Sequence, residues 1–83
     1  MPTAYVVTIG DTPTHSADTL ETAQTAALTA ERKSQGDRHE HRWDEYYAGR
    51  TWRLMQRPKG PAGKGRRFAW TQRAIHAVEH ITT

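Results

Sequence analysis

The sequence predicts an α+β fold: a small antiparallel sheet in the order β-α-β-β-β, with one helix packed on one face and a C-terminal helix or strand extension. Three observations carry this. Residues 4–9 are β-branched and aromatic, residues 19–33 are Ala-rich and free of Gly and Pro, and residues 41–71 hold short runs of alternating aromatic and charged residues separated by turn formers. The chain has 83 residues, which fits a single small domain spanning 1–83. A chain of this size buries only about 60–65% of its unfolded surface, so its core is thin. Three Trp, three Tyr and one Phe are expected to supply much of that core, because each ring buries a large area.

Each element has a local reason. Residues 4–9 (AYVVTI) read as a covered strand, and Gly10 to Pro13 end it with turn residues, followed by a polar loop to Ser16. Asp18 and Glu21 fit a capping box at the start of a helix over 18–33. Leu20, Ala23, Ala27 and Ala30 make one apolar stripe of small side chains, and Gly36 is placed to end the helix in a left-handed conformation. Residues 41–47 alternate as a strand, with Trp43, Glu45 and Tyr47 on one face and Arg42, Asp44 and Tyr46 on the other. Ala48 to Arg50 form a tight turn. Residues 51–57 and 66–71 read as a hairpin, joined by the Gly/Pro/Lys loop 58–65. In the expected register Leu54 faces Trp70 and Gln56 faces Phe68. That sends Trp52, Leu54, Phe68 and Trp70 inward, and puts Arg53, Met55, Arg57, Arg67, Ala69 and Arg73 on the opposite side. Residues 72–83 fit a helix face and also alternate as a strand would; their Gln, Arg, Ala and Glu content favours the helix.

Charge is the sharpest feature. The net charge is +3, but residues 1–45 carry four basic and eight acidic groups, whereas residues 46–83 carry eight basic groups and the single acid Glu79. No acid occurs between Tyr46 and Val78. One-sided positive charge and a sequence pI near 9.7 point to a polyanionic partner. Guanidinium groups bind phosphate through two parallel hydrogen bonds, and a two-stranded ribbon fits a major groove. The expected nucleic-acid-binding residues are Arg53, Arg57, Lys59, Lys64, Arg66, Arg67 and Arg73. The expected function is a small cytoplasmic nucleic-acid-binding or regulatory accessory protein that touches the DNA or RNA backbone through a basic β-hairpin face. The alternative is a protein–protein interaction adaptor whose sheet edge or arginine face meets an acidic partner. A solvated sheet face, whose arginine stems cover apolar surface, explains the same charges without a partner.

Other chemistries find less support. There is no cysteine, which excludes disulfides and thiolate metal sites and suits a reducing compartment. The longest apolar run, residues 4–7, is too short to span a membrane. His39 and His41 point the same way on a strand, and His76 and His80 do so on a helix, but nothing brings the pairs together, so no metal or cofactor is expected. Asp44 and Glu45 point to opposite faces of a strand and do not form a carboxylate pair. No nucleophile elbow, dinucleotide fingerprint or phosphate-binding loop is present; the expectation is a protein without catalytic residues, not an enzyme. Trp43, Trp52 and Trp70 are read as core rather than as stacking platforms for bases.

Overall fold

The structure, a computed structural model, describes residues 3–79. In chain order it contains β1 (Thr3–Ile9), β2 (Thr12–Ala17), α1 (Leu20–Gln35), β3 (His39–Tyr47), β4 (Thr51–Pro58), a 3₁₀ turn (Gly60–Gly63) and β5 (Ala69–Glu79). The strands form one antiparallel five-stranded sheet in the order β2-β1-β5-β4-β3. The last strand is thus the central one, hydrogen-bonded to β1 on one side and β4 on the other.

The α+β class holds, with two additions to the expected order. Residues 12–17 are a strand, not a loop. Gly10, with φ 58°, turns the chain tightly, and β2 lies at the sheet edge, where Pro13 removes no ladder donor that matters. Its residues are almost all exposed, so no alternation marks it. Residues 69–79 resolve the helix-or-strand ambiguity as strand. Ile75 sits opposite both Val7 and Trp52, and pairing on both edges outweighs the helical composition. Residues 80–83, with His80, lie outside the described residues.

The helix forms where the Ala-rich stretch predicts it, slightly shifted. Thr19, not Asp18, is the N-cap: its backbone is extended and its Oγ1 accepts from the Thr22 N–H at 3.2 Å. Gly36, at φ 78°, closes the C-terminus by donating its N–H to the Arg32 carbonyl at 2.8 Å. The helix lies across β2, β1 and β5. Its stripe presents Ala23 and Ala27, both fully buried, to Val7, Ile75 and Trp52. Small side chains let the helix approach closely; Tyr5, Leu20 and Trp43 fill the periphery. Leu54, Ile75 and Val7 are the largest fully buried side chains, each contributing about 1.5–3 kcal/mol by leaving water. The stripe continues to Glu31, which is buried and accepts from Arg73 Nε at 2.6 Å.

Two bulges re-aim the hairpin. Arg53 pairs with Ala74 and Met55 with Trp70, so Thr71, Gln72 and Arg73 stand opposite Leu54 alone. Gln72 takes φ 72°, a conformation a non-glycine residue holds only when its surroundings impose it. Hydrogen bonds do so here: Thr71 Oγ1 donates to the Leu54 carbonyl at 2.9 Å and accepts from Arg73 N–H at 3.1 Å, Trp70 Nε1 donates to the Arg73 carbonyl at 2.9 Å, and Gly10 N–H donates to the Gln72 carbonyl at 2.8 Å. The result corrects the expected register. Trp70 lies opposite Met55, not Leu54, and Gln56 lies opposite Ala69, not Phe68. A slip of one residue moves a side chain to the other face, so Trp70 leaves the helix side. The second bulge, at Tyr46, sets Tyr47 opposite Thr51 and brings both tyrosines to the face away from the helix.

Candidate nucleic-acid interface

The helix lies on one face of the sheet, against β2, β1 and β5; among the described residues no helix lies on the other. That open face carries Arg42, Asp44, Tyr46 and Tyr47 of β3, Arg53, Met55 and Arg57 of β4, and Trp70, Ala74 and His76 of β5, as the strand registers dictate. Arginines and aromatic rings are interleaved along it. The Arg53 guanidinium lies between two rings, 4.3 Å from the Trp70 centroid and 4.8 Å from that of Tyr46. Phe68 reverses the motif, with Arg42 at 4.4 Å and Arg57 at 4.6 Å from its centroid. Such contacts are worth ~0.5–1 kcal/mol each at exposed sites; their structural effect is to hold long side chains flat against the sheet. Tyr46 and Tyr47 meet edge to face at 4.7 Å.

At one end of this face is a groove of about 590 Å³, lined by Thr8, Gly10, Asp11, Tyr46, Tyr47, Thr51, Arg53, Trp70, Ala74 and His76. Ala74 and Thr8 are its buried residues, and the Thr8 hydroxyl has no hydrogen-bond partner among the described residues. At the other end of β4 lies the basic loop. There the 3₁₀ turn is held by Gly63, where any Cβ would overlap the Pro58 carbonyl oxygen. Lys64, Arg66 and Arg67 follow it and are exposed.

Six of the seven expected binding residues lie on the open face or in the loop beside it, and one does not. Arg53 and Arg57 are on the open face, half-buried by their aromatic contacts. Arg57 is also bound to Glu40 across the β3–β4 ladder and donates to the Arg66 carbonyl at 3.4 Å. Lys59 is paired with Asp37 at 3.0 Å, and that ammonium holds the Asp37 carboxyl below the ordinary aspartate range. Arg73 is the correction. It sits on the helix side, buried and paired with Glu31, because its position in β5 shares a face with Ile75. Sequence reasoning leaves Arg42, Tyr46, Tyr47, Phe68, Trp70 and His76 out of the site. Arg42 and Tyr46 lie where alternation along β3 puts them, on the face opposite Trp43, and His76 follows once residues 69–79 are strand; Tyr47 and Trp70 reach this face through the two bulges, which nothing in the sequence marks.

His39 and His41 lie on the helix side of β3, opposite Pro58 and Gln56; His76 is on the open face. Burial pushes the His41 imidazole below the ordinary histidine value. Among the described residues no three His, Asp or Glu side chains gather as a metal site, and no helix is long and apolar enough to cross a membrane.

Comparison with known protein families, with characterised proteins and with solved structures finds no match to this chain. The functional reading therefore rests on the geometry of the open face alone.

Proposed function

We propose that this protein is a small nucleic-acid-binding accessory protein, without catalytic activity of its own, whose open sheet face and basic loop contact the phosphate backbone. The observation that carries the reading is the interleaving of Arg42, Arg53 and Arg57 with Tyr46, Phe68 and Trp70 on a face the helix leaves uncovered. Guanidinium groups held over rings are pre-positioned, so less side-chain freedom is lost when they meet phosphate. Lys64, Arg66 and Arg67 add exposed cations at the end of the same strand pair. Cytoplasmic placement belongs to the same proposal and is supported by the absence of cysteine.

The test is a titration of duplex and single-stranded oligonucleotides at several salt concentrations. Affinity should fall linearly on a log–log salt plot. The Arg53→Ala/Arg67→Ala variant should bind more weakly, with a slope reduced by about one unit for each phosphate it no longer neutralises. Arg32→Ala/Lys33→Ala, on the last turn of the helix, should bind as wild type does. Absence of binding at low salt, together with nuclease-resistant capture of an acidic protein from lysate, would favour the adaptor reading instead.

A further inference from the structure

Resting on that nucleic-acid reading, we propose that the groove at the β1–β2 and β3–β4 turns receives an unpaired base, so that the ligand is single-stranded rather than duplex nucleic acid. The groove's lining combines three aromatic rings, Tyr46, Tyr47 and Trp70, with polar side chains. Tyr47, Tyr46 and Trp70 are 61%, 53% and 39% exposed, an expensive display for a chain whose apolar content is 35%. The exposed surfaces of these rings can stack on a base only when the base's own face is free. In a duplex both faces of every base are covered by neighbours, and a base must leave the stack before a protein ring can take their place.

The polar lining points the same way. Asp11 lines the groove together with Arg53 and His76. A carboxylate repels a phosphate but accepts from the exocyclic amino group of adenine or cytosine. Thr8 also lines the groove, and its hydroxyl has no partner among the described residues. A base supplies donors and acceptors around a flat apolar body, which matches this lining better than a bare anion does. Phosphates on either side of the bound nucleotide then meet the arginines along the open face. From Thr51 to Pro58 that strip runs on the order of 20 Å, within reach of the ~4–16 nucleotides that single-strand sheet platforms occupy.

The experiment compares three oligonucleotides of equal length at one low and one moderate salt concentration: a single strand of mixed sequence, the same strand with its bases removed, and the duplex. The wild-type protein should bind the intact strand about 5- to 150-fold more tightly than the abasic strand, the range expected of one stacked base. Tyr46→Ala and Trp70→Ala should each erase most of that difference, weakening binding of the intact strand more than binding of the abasic strand, whose smaller loss reflects the Arg53 guanidinium freed from the ring. Tyr46 lies at the exposed hairpin end, so its variant keeps the test valid if Trp70→Ala loosens the β5 bulge. Equal affinity for the intact strand, the abasic strand and the duplex would overturn the base-binding inference and leave phosphate binding standing. Loss of binding to all three at low salt would overturn both.

Discussion

The Glu31–Arg73 pair is the most exposing test of this fold, because it joins the helix to the central strand at a charged contact inside the core. Both side chains are nearly fully buried, at 5% and 9% exposure, and meet at 2.6 Å. Removing one partner of such a pair leaves the other charged without solvent, at a cost of about 3–5 kcal/mol. A domain of this length has a total stability of only about 4–12 kcal/mol. Glu31→Ala should therefore lower the melting temperature by at least about 12 °C, taking the ~4–8 °C per kcal/mol of small domains. Replacing both residues by apolar ones of similar size, Glu31→Leu/Arg73→Met, should restore wild-type stability or exceed it, since no charge is then left buried. The two single variants and the double variant close a cycle read by urea denaturation, and a coupling of several kcal/mol is expected.

The same double variant separates structure from function. Arg73 faces the helix, so removing it should leave the salt slope of nucleic-acid binding unchanged, in contrast to removal of Arg53. If Glu31→Ala melts within about 2 °C of wild type, the pair is solvated, and the bulge that turns Arg73 inward is wrong. A reduced salt slope in the stable double variant would return Arg73 to the open face.

The remaining predictions concern single sites. Leu54→Ala should cost about 2–5 kcal/mol, since Leu54 is fully buried; a melting temperature near wild type would contradict its burial. Gly63→Ala should destabilise the loop by about 1–3 kcal/mol, because a Cβ there overlaps the Pro58 carbonyl, and an unchanged urea midpoint would refute the turn. Burial lowers the His41 pKa, reinforced by Arg32, His39 and Lys59 and opposed by Glu31. The unfolded chain then binds the proton more readily than the native one. This contribution to stability is full above the ordinary histidine pKa and declines as pH falls through it toward the folded value. Between pH 7.5 and 5.5 His41→Gln should flatten the decline seen in wild type, and equal slopes would refute the burial. Asp37 should titrate below a normal aspartate by carboxyl-carbon NMR, and Lys59→Met should move it back up.

The parts of this molecule legible in its sequence are those with a strong local signal. The Gly- and Pro-free interior of residues 19–33, Gly36 in its left-handed cap, the Gly49 turn and the alternation around Trp52 and Leu54 all appear where the residues place them. Thr12–Ala17 gives no such signal, because an edge strand exposed along nearly its whole length needs no alternation, and Pro13 reads as a breaker. The face of Trp70 is hidden because register depends on Thr71 to Arg73, a bulge without glycine that only tertiary hydrogen bonds hold open. Charge alone assigns Arg73 to the basic face. It carries no sign of a carboxylate 42 positions away that waits for the guanidinium in the core. The bulge at Tyr46 likewise conceals the pairing of two tyrosines on one face.

Those two bulges decide how the aromatic residues are shared. Tyr5, Trp43 and Trp52 pack toward the helix, while Tyr46, Tyr47, Phe68 and Trp70 lie on the open face. For a thin-cored domain this division is costly in stability, since each ring turned outward forgoes part of its hydrophobic gain. Cation–π contacts with Arg42, Arg53 and Arg57 offset some of that cost. The acids limit what the arginines can contribute electrostatically. Arg57 is bound to Glu40, and Arg53 stands across the ladder from Asp44. Exposed cations are concentrated instead in the loop, at Lys64, Arg66 and Arg67. The proposed interface thus divides its work along β4. The loop end supplies long-range attraction that salt screens, and the groove end supplies stacking that salt barely touches. Raising the salt concentration should therefore diminish the effect of Arg66→Ala/Arg67→Ala on binding while leaving the effect of Tyr46→Ala nearly constant. Parallel salt dependence of the two effects would show that the face acts as a uniform patch of charge, with no base-binding end.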